Sequence, residues 1–448
     1  VRARPELDRL QQQLTERIAG ARLSGGQRRW LIAIVGIAAV LRVGWALYAT
    51  RTPAAVGDPF FYFEYGKQLA AGHGYNNYVT GEPTAYYPVG YPAALAVVFW
   101  FVQHTPIPDN LPMAGALFQA ALGTASVGLV FLIGRRLFGV QTGLVAAAIV
   151  ALFPNLIFYV ATLQVETLFI FLFLLVVAIA VDADWEGGGF TRNRALALGA
   201  ALGLCTLVRP FGIPLLVGLA VALWLTGRGW RSTLATLGWV VLALAVVVTP
   251  WVARNVVKLH AATISTNMGD TVCIDRYLNS TGRFRFVDEA GGCAPSSLSE
   301  AERNTENIRI ALRFVREHPG DELHLIGIRA WYMMENDRDG LQAVEGGSGE
   351  AFLGHRVRAV LGGFADTFFF VALALAVLGL PAFVRGRRGD RVLVLSAIAT
   401  LFGVPLLLWG STRFHVPLLP FIALAAACTL VGLTRHGGLR PGSLMPMD

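Results

Sequence analysis

The sequence predicts an all-α polytopic membrane protein of about ten spanning helices with one small mixed α/β domain outside the bilayer. Three observations predict it. Hydrophobic residues make up 55% of the 448 and charged residues only 15%, whereas a soluble domain carries about 25% charged residues. Apolar runs of about 20 residues, enough to cross a bilayer, recur along the chain. The net charge of +8 is carried by arginines lying between those runs, with lysine only at Lys67 and Lys258. That placement reads as membrane topology, and no nucleic-acid partner is expected.

Spans are expected at about 30–50, 112–134, 139–158, 163–181, 194–208, 210–226, 232–251, 361–384, 391–409 and 414–434. Pro154 and Pro210 interrupt two of them, so counts from about nine to eleven fit the same text. Residues 1–29 form a polar leader without the shape of a signal peptide. Within it Leu23-Ser24-Gly25-Gly26-Gln27 spells the signature peptide of ABC-type ATPases. That peptide works beside a GxxxxGK[ST] phosphate loop, which the chain lacks, so the match is read as coincidence.

Orientation follows from the short-loop arginines. Arg17, Arg22, Arg28 and Arg29 precede the first span, Arg135 and Arg136 follow the second, and Arg192 and Arg194 follow the fourth. Arg228 and Arg231 follow the sixth, Arg385, Arg387 and Arg388 the eighth, and Arg435 and Arg440 the tenth. All share one side if both termini are cytoplasmic. The organisation expected is a leader 1–29, a transmembrane module 30–251 with a first outer loop 51–111, an outer domain 252–360, C-terminal spans 361–434 and a tail 435–448. In the first outer loop the apolar stretch Tyr91 to Val102 is too short to span. The outer domain opens on strand-like or irregular text around Ile264–Phe286 and turns helical at Ser299-Glu300-Ala301-Glu302, a capping-box sequence. Its Cys273 and Cys293 are expected to form a disulfide, which an outer compartment permits, two free thiols being the alternative. Cys205 and Cys428 fall in spans, as small packing residues. Arginine in place of lysine, with abundant Ala, Val and Gly, points to a GC-rich bacterial genome and hence to a bacterial plasma membrane.

Charged residues at the outer membrane boundary carry the chemistry, since burying charge there is costly without a purpose. Asp58 follows the first span and Glu166 opens the fourth. Arg209 stands in the fifth–sixth break, Arg254 ends the seventh, and Arg413 with His415 opens the tenth. A carboxylate can deprotonate a hydroxyl, and guanidinium groups pair with phosphate oxygens. The bland reading of any one boundary arginine is a snorkelling anchor, and of Asp58 a helix cap. Arg42, inside the first span, is expected to reach the surface or pair with a neighbour. Glu64, Glu335, Asp337 and Asp339 are expected to be solvated loop carboxylates. His73, His104, His260, His318, His324, His355 and His436 show no close metal spacing.

The same residues carry a resemblance. Gly57-Asp58-x-x-x-Tyr62, Gly72-x-Gly74-Tyr75 and Tyr87-Pro88-x-Gly90-Tyr91-Pro92 resemble the first outer loop of GT-C glycosyltransferases, in the bacterial branch holding protein O-mannosyltransferases and aminoarabinose lipid A transferases. Glu166-Thr-Leu-Phe, Arg209-Pro210, Pro250-Trp251-x-x-Arg254-Asn255, Ser265-Thr266-Asn267-x-Gly269 and the Arg413-to-Pro417 stretch extend it over about residues 30–434. One departure is Pro59 after Asp58, where many relatives carry a second acid. The resemblance implies a GT-C fold and inverting transfer of a monosaccharide from a polyprenyl-phosphate donor to an extracytoplasmic glycan, lipid or protein. It makes Asp58 the base, Glu166 a second acid shaping the site, and Arg209, Arg254, Arg413 and His415 the residues holding donor phosphate and lipid. Tyr62 and Tyr87 would line the substrate. A divalent ion at the carboxylates is left open, as some relatives bind one. The alternative is a transporter or flippase of lipid-linked sugars, although polar residues on one side only fit a midplane transport site poorly. A non-catalytic assembly factor of the same fold is a third reading, against which the intact Asp58 counts.

Overall fold

The computed structural model describes residues 23–55, 57–106, 109–185, 190–227, 229–285, 292–384 and 389–436. Arg17, Arg22, Arg228, Arg385, Arg387, Arg388 and Arg440, with most of the leader and tail, lie outside these residues, as does the side chain of Arg435. The elements are α1 Gly25–Ala49, α2 Asp58–Ala70, α3 Gly90–Gln103, α4 Leu111–Phe138, α5 Val140–Leu152, α6 Pro154–Phe158, α7 Glu166–Val181, α8 Arg192–Val208 and α9 Leu215–Leu225. They continue with α10 Trp230–Leu259, α11 Met268–Cys273, α12 Glu300–Glu317, α13 Pro319–Met334, α14 Asp339–Ser348, α15 His355–Gly379, α16 Gly389–Gly403 and α17 Leu419–His436.

Every expected span is helical, but they are not ten equal crossings. Among the described residues six helices are long and apolar enough to cross a membrane, or seven if α5 and the stretch Pro154–Ala161 count as one span bent by 59°. Glu166–Val181 and Pro210–Leu225 are shorter apolar helices, and α8 has only 17 residues. Proline ends two of the helices: Pro154 and Pro210 cannot donate the backbone bonds that would continue α5 and α8. The chain is a multi-pass membrane protein.

The break after α5 frees carbonyls, and buried Arg42 takes them. Its guanidinium donates to Val150 O at 2.9 Å and Ala151 O at 3.1 Å. Arg42 therefore does not reach the surface but pairs with neighbours, and those neighbours are backbone carbonyls. The helices close up where side chains are smallest. At Gly199 and Gly203 of α8, added Cβ atoms would come within 2.1 Å of Val240 O and 2.8 Å of Val247 Cβ on α10. This is the small-xxx-small spacing by which membrane helices bring their backbones together.

The ATPase-like peptide has a local explanation. Ser24 is the N-cap of α1 and forms a reciprocal capping box with Gln27. Ser299 and Glu302 do the same at the start of α12, as their spacing predicts. The mixed α/β outer domain is not found. Among the described residues there is no strand, only isolated bridges Asn76–Pro83 and Arg283–Gly410. Phe286 lies outside the described residues; the text around 264–285 holds α11 and turns, and its backbone bonds to side chains instead of a ladder: Gly269 N donates to Asn304 Oδ1 at 2.7 Å.

The Cys273–Cys293 disulfide is present, with Cα atoms 6.0 Å apart. Nearby Arg329, fully buried, donates to Asp275 at 2.6 Å and Glu322 at 2.7 Å, and Arg276 joins Glu322 at 2.7 Å. Cys205 is a buried free thiol and Cys428 a partly buried one.

Candidate active site

Four side chains, each at the edge of a different helix, meet at one end of the bundle. Gly57, at a left-handed φ of 78°, turns the chain into α2 and is its N-cap. Asp58 is thus the first helical residue and not the cap. Its carboxylate accepts from Tyr87 Oη at 2.7 Å and from Arg413 Nη1 at 2.5 Å. Glu166, fully buried, opens α7, where the helix dipole favours a negative charge. Arg209 leaves α8 in extended backbone because the following Pro210 disfavours helix at the residue before it. Arg413 sits in the 3-10 turn Thr412–Leu418 that leads into α17.

Glu166 Oε1 is the meeting point. It accepts from Arg413 Nε at 2.5 Å and Arg209 Nη2 at 2.9 Å. Arg209 Nη1, Arg413 Nη2 and Glu166 Oε2 have no protein partner among the described residues, although all three atoms are buried. Asp58, Arg209 and Arg413 border a cavity of about 1520 Å³ together with Tyr62, Tyr87 and Gln164. Phe211, Phe414 and Trp409 supply an aromatic wall beside the arginines.

Electrostatics follow from the partners. Burial works to raise the Asp58 carboxyl, but Arg413 and the Tyr87 hydroxyl outweigh it and hold the group below its ordinary value. Burial, with Asp58 next to it, raises the Tyr87 hydroxyl far above the usual tyrosine value, so Tyr87 stays a donor. Burial raises Tyr62 likewise. Tyr62 packs against Tyr87 and Tyr91, with centroids 4.9 and 5.3 Å away.

Two expected donor ligands are elsewhere. Arg254 donates to Thr84 O and Tyr75 O, both at 2.7 Å, and does not border the cavity. From the end of α10 its guanidinium meets carbonyls of the loop carrying Tyr86 and Tyr87 before it can reach the arginine pair. His415 is fully buried and turned away. It bonds Met333 O through Nδ1 and Asp337 Oδ1 through Nε2 at 2.8 Å, and stacks on Phe369. In a 3-10 turn residues two apart face different directions, so Arg413 and His415 cannot share a ligand. Asp337 is also buried, and half-buried Asp339 accepts from Tyr159 and Thr412; neither is a solvated loop acid. Glu64 and Glu335 form ion pairs with Lys67 and Arg283.

Sequence reasoning missed the wall facing Asp58. Asp270 of α11 accepts from Tyr86 Oη at 3.0 Å and Asn307 at 2.7 Å, and pairs with Arg303 at 3.0 Å. Glu300 holds the adjacent loop through Thr84 Oγ1 at 2.7 Å and Ala85 N at 2.8 Å. The signal was the run Tyr86-Tyr87, two hydroxyls one residue apart that reach different acids.

The carboxylates do not fit a divalent metal as placed. The Arg413 guanidinium lies between them and bonds both, filling the position of a bridging cation. Among the described residues no group of three His, Cys, Asp or Glu side chains converges on a point.

Residues 95–253 match the family model described as dolichyl-phosphate-mannose-protein mannosyltransferase. No curated protein matches the chain. Among solved structures it is similar to the oligosaccharyltransferase AglB from Archaeoglobus fulgidus. The complex of that protein with an inhibitory peptide and a dolichol-phosphate aligns at TM-score 0.53 and 15% identity, over 94% of this chain and 53% of that one. Its apo form aligns at TM-score 0.55 and 15% identity, over 92% and 52%. The chain thus spans about half the length of AglB. ArnT from Cupriavidus metallidurans, bound to undecaprenyl phosphate, aligns over 93% of this chain and 82% of that one at 14% identity, with TM-score 0.44. The chain is a multi-pass membrane protein with the GT-C fold of the glycosyltransferases, and its residues 95–253 match the mannosyltransferase family model.

Proposed function

We propose that this chain is an inverting glycosyltransferase that moves a monosaccharide from a polyprenyl-phosphate donor to an extracytoplasmic acceptor. One observation carries the reading: Arg209 and Arg413 share a single oxygen of buried Glu166, and each keeps a nitrogen without a protein partner beside Asp58. Two pinned guanidiniums with free donors suit a phosphate oxygen pair, and their orientation needs no reorganisation during reaction.

The chemistry then follows. The acceptor hydroxyl gives its proton to Asp58, and its oxygen attacks the anomeric carbon. The bond from that carbon to the phosphate oxygen breaks, and its electron pair leaves with polyprenyl phosphate. The charge appearing on that oxygen faces Arg209 and Arg413. Phe211, Phe414 and Trp409 give the first carrier units an apolar wall. AglB has been seen with dolichol-phosphate, a ligand of the same class.

An outward-facing site is part of the proposal. Arg136 donates to Val181 O at 3.2 Å and Arg194 pairs with Asp182, both at the end of α7 opposite Glu166. A 16-residue helix separates those ends by about 24 Å, and arginine-rich ends lie in the cytoplasm. The test is the purified chain in vesicles, supplied with labelled polyprenyl-phosphate sugars and an envelope extract as acceptor. Transfer of label to a water-soluble or lipid acceptor is expected. Movement of intact donor across the bilayer without transfer would return the reading to a transporter.

A further inference from the structure

Two acids that the chemistry above leaves unused, buried Asp337 and half-buried Asp339, lie on the short loop Glu335–Arg338 and at the first residue of α14. Asp337 Oδ1 accepts from Asn155 Nδ2 at 2.6 Å and meets His415 Nε2 at 2.8 Å. Asp339 accepts from Tyr159 Oη through Oδ2 and from Thr412 Oγ1 through Oδ1 at 3.3 Å. Gly340 N donates to Asn155 Oδ1 at 2.8 Å, and an added Cβ there would lie 2.6 Å from that oxygen. Asn155, Asp337 and His415 are all fully buried.

The partners fall into two sets. Asn155 and Tyr159 belong to α6 and its 3-10 extension, the stretch that runs directly into Glu166. Thr412 and His415 flank Arg413 in its 3-10 turn. Each acid takes one partner from each set. We propose that Asp337 and Asp339 form a two-point clip that sets the Arg413 guanidinium against Glu166, with His415 and Thr412 as positioning residues for Arg413. The proposal rests on the reading of Arg413 as a donor-phosphate residue for its consequence, but not for its geometry.

Hydrogen-bond accounting supports a fixed lock. Met333 O can only accept, so His415 Nδ1 carries a proton. Asn155 Oδ1 accepts from Gly340, so its amide nitrogen faces Asp337. One further proton is then shared between His415 Nε2 and Asp337 Oδ1, and the pair is neutral overall in either arrangement. A neutral, fully buried pair can persist where an unpaired charge could not. The 3-10 turn between its two anchors leaves Arg413 little freedom to swing.

Phenylglyoxal, which modifies accessible arginines, reads the position of Arg413 directly on the full-length protein, with peptide mass spectrometry as the readout. Asp339→Ala and Asp337→Asn should raise modification of Arg413 by about fivefold or more, as expected for residues coupled through contacts, while fully buried Arg329 stays unmodified. Asp339→Asn keeps an acceptor for Tyr159 and a polar partner for Thr412, so it should restore protection, which a general loosening would not. Thr412→Val, which loses only the bond to Asp339, covers the case in which Asp339→Ala does not fold. Arg413 labelling unchanged in every variant that folds overturns the clip, whatever the arginine binds. Raised labelling with unchanged affinity for undecaprenyl phosphate supports the clip and counts against the donor-phosphate reading instead.

Discussion

Arg413 Nε donates to Glu166 Oε1 at 2.5 Å, joining residues 247 positions apart in the chain. The same guanidinium reaches Asp58 with Nη1 at 2.5 Å. One planar fork therefore connects the proposed base to the acid that anchors both arginines. A lysine has a single nitrogen and cannot span the two. Arg413→Lys should weaken binding of undecaprenyl phosphate by about tenfold or more, the scale of one lost charge-assisted contact, as measured by titration on purified protein. Unchanged affinity would remove Arg413 from the donor site.

Glu166→Gln tests the anchor. The substitution leaves two guanidiniums beside a neutral amide, and removing one partner of a buried pair costs about 3–5 kcal/mol. A lower melting temperature in detergent is expected together with weaker phosphate binding. A protein that melts as the wild type does and binds undecaprenyl phosphate normally would show that Glu166 does not organise the pair.

Asp58→Asn should preserve the fold and abolish transfer, since losing a general base typically costs about 10²–10⁴-fold in rate. The cap reading offers no protection, because Gly57 holds the cap position. The pH dependence has a definite sign. The carboxyl is held below its ordinary value, so its contribution to stability is present above the unfolded-state value and is lost as pH falls through the folded one. The acid limb of kcat/KM due to Asp58 should lie below the ordinary carboxylate range, leaving activity flat from about pH 5 to 7 as far as this group is concerned. An Asp58→Asn protein that transfers sugar at the wild-type rate would rule out the base.

Tyr87→Phe keeps the ring packing against Tyr62 and removes the hydroxyl that donates to Asp58. Loss of that donor raises the Asp58 carboxyl. The acid limb should move to higher pH, with folding unchanged, in a rate profile measured beside the wild type. No movement of the limb would mean that Tyr87 does not touch the ionisation that limits the rate.

Arg254 should behave unlike Arg413. Its bonds to Thr84 O and Tyr75 O hold the loop of Tyr86 and Tyr87. Arg254→Ala should lower kcat while leaving undecaprenyl-phosphate affinity within about twofold, since only the loop loses a charged donor. A matching loss of donor affinity would put Arg254 back among the phosphate ligands.

Reduction tests the segment that the Cys273–Cys293 bridge closes. Cross-linking residues 20 apart stabilises by about 3 kcal/mol through the unfolded chain. Cys273→Ser, or reductant with the native protein, should lower the melting temperature, and thiol labelling of Cys293 should appear only after reduction. Labelling of Cys293 without reductant would contradict the bridge.

Hydropathy and arginine placement determined the membrane class and the positions of the helices, because burying a backbone in lipid forces helix wherever a long apolar run occurs. The capping box at Ser24 was not read, because its residues stood only as a chance match to an ATPase peptide. The one at Ser299 was legible for a local reason: both partners lie within one turn. The shared cysteine loop was readable as well. Which boundary charges face one another was not. Arg209, Arg254 and Arg413 look alike in the sequence, each near proline at a span end, yet two meet Glu166 and the third meets carbonyls of a loop about 170 residues away. His415 and Asp337 appeared as a ligand and a surface acid, and they are instead each other's buried partner. These outcomes depend on which helix ends the packing brings together and on the few ångströms that decide whether a guanidinium reaches a carboxylate or a carbonyl. Side-chain reach in three dimensions, which no local spacing encodes, decided the site.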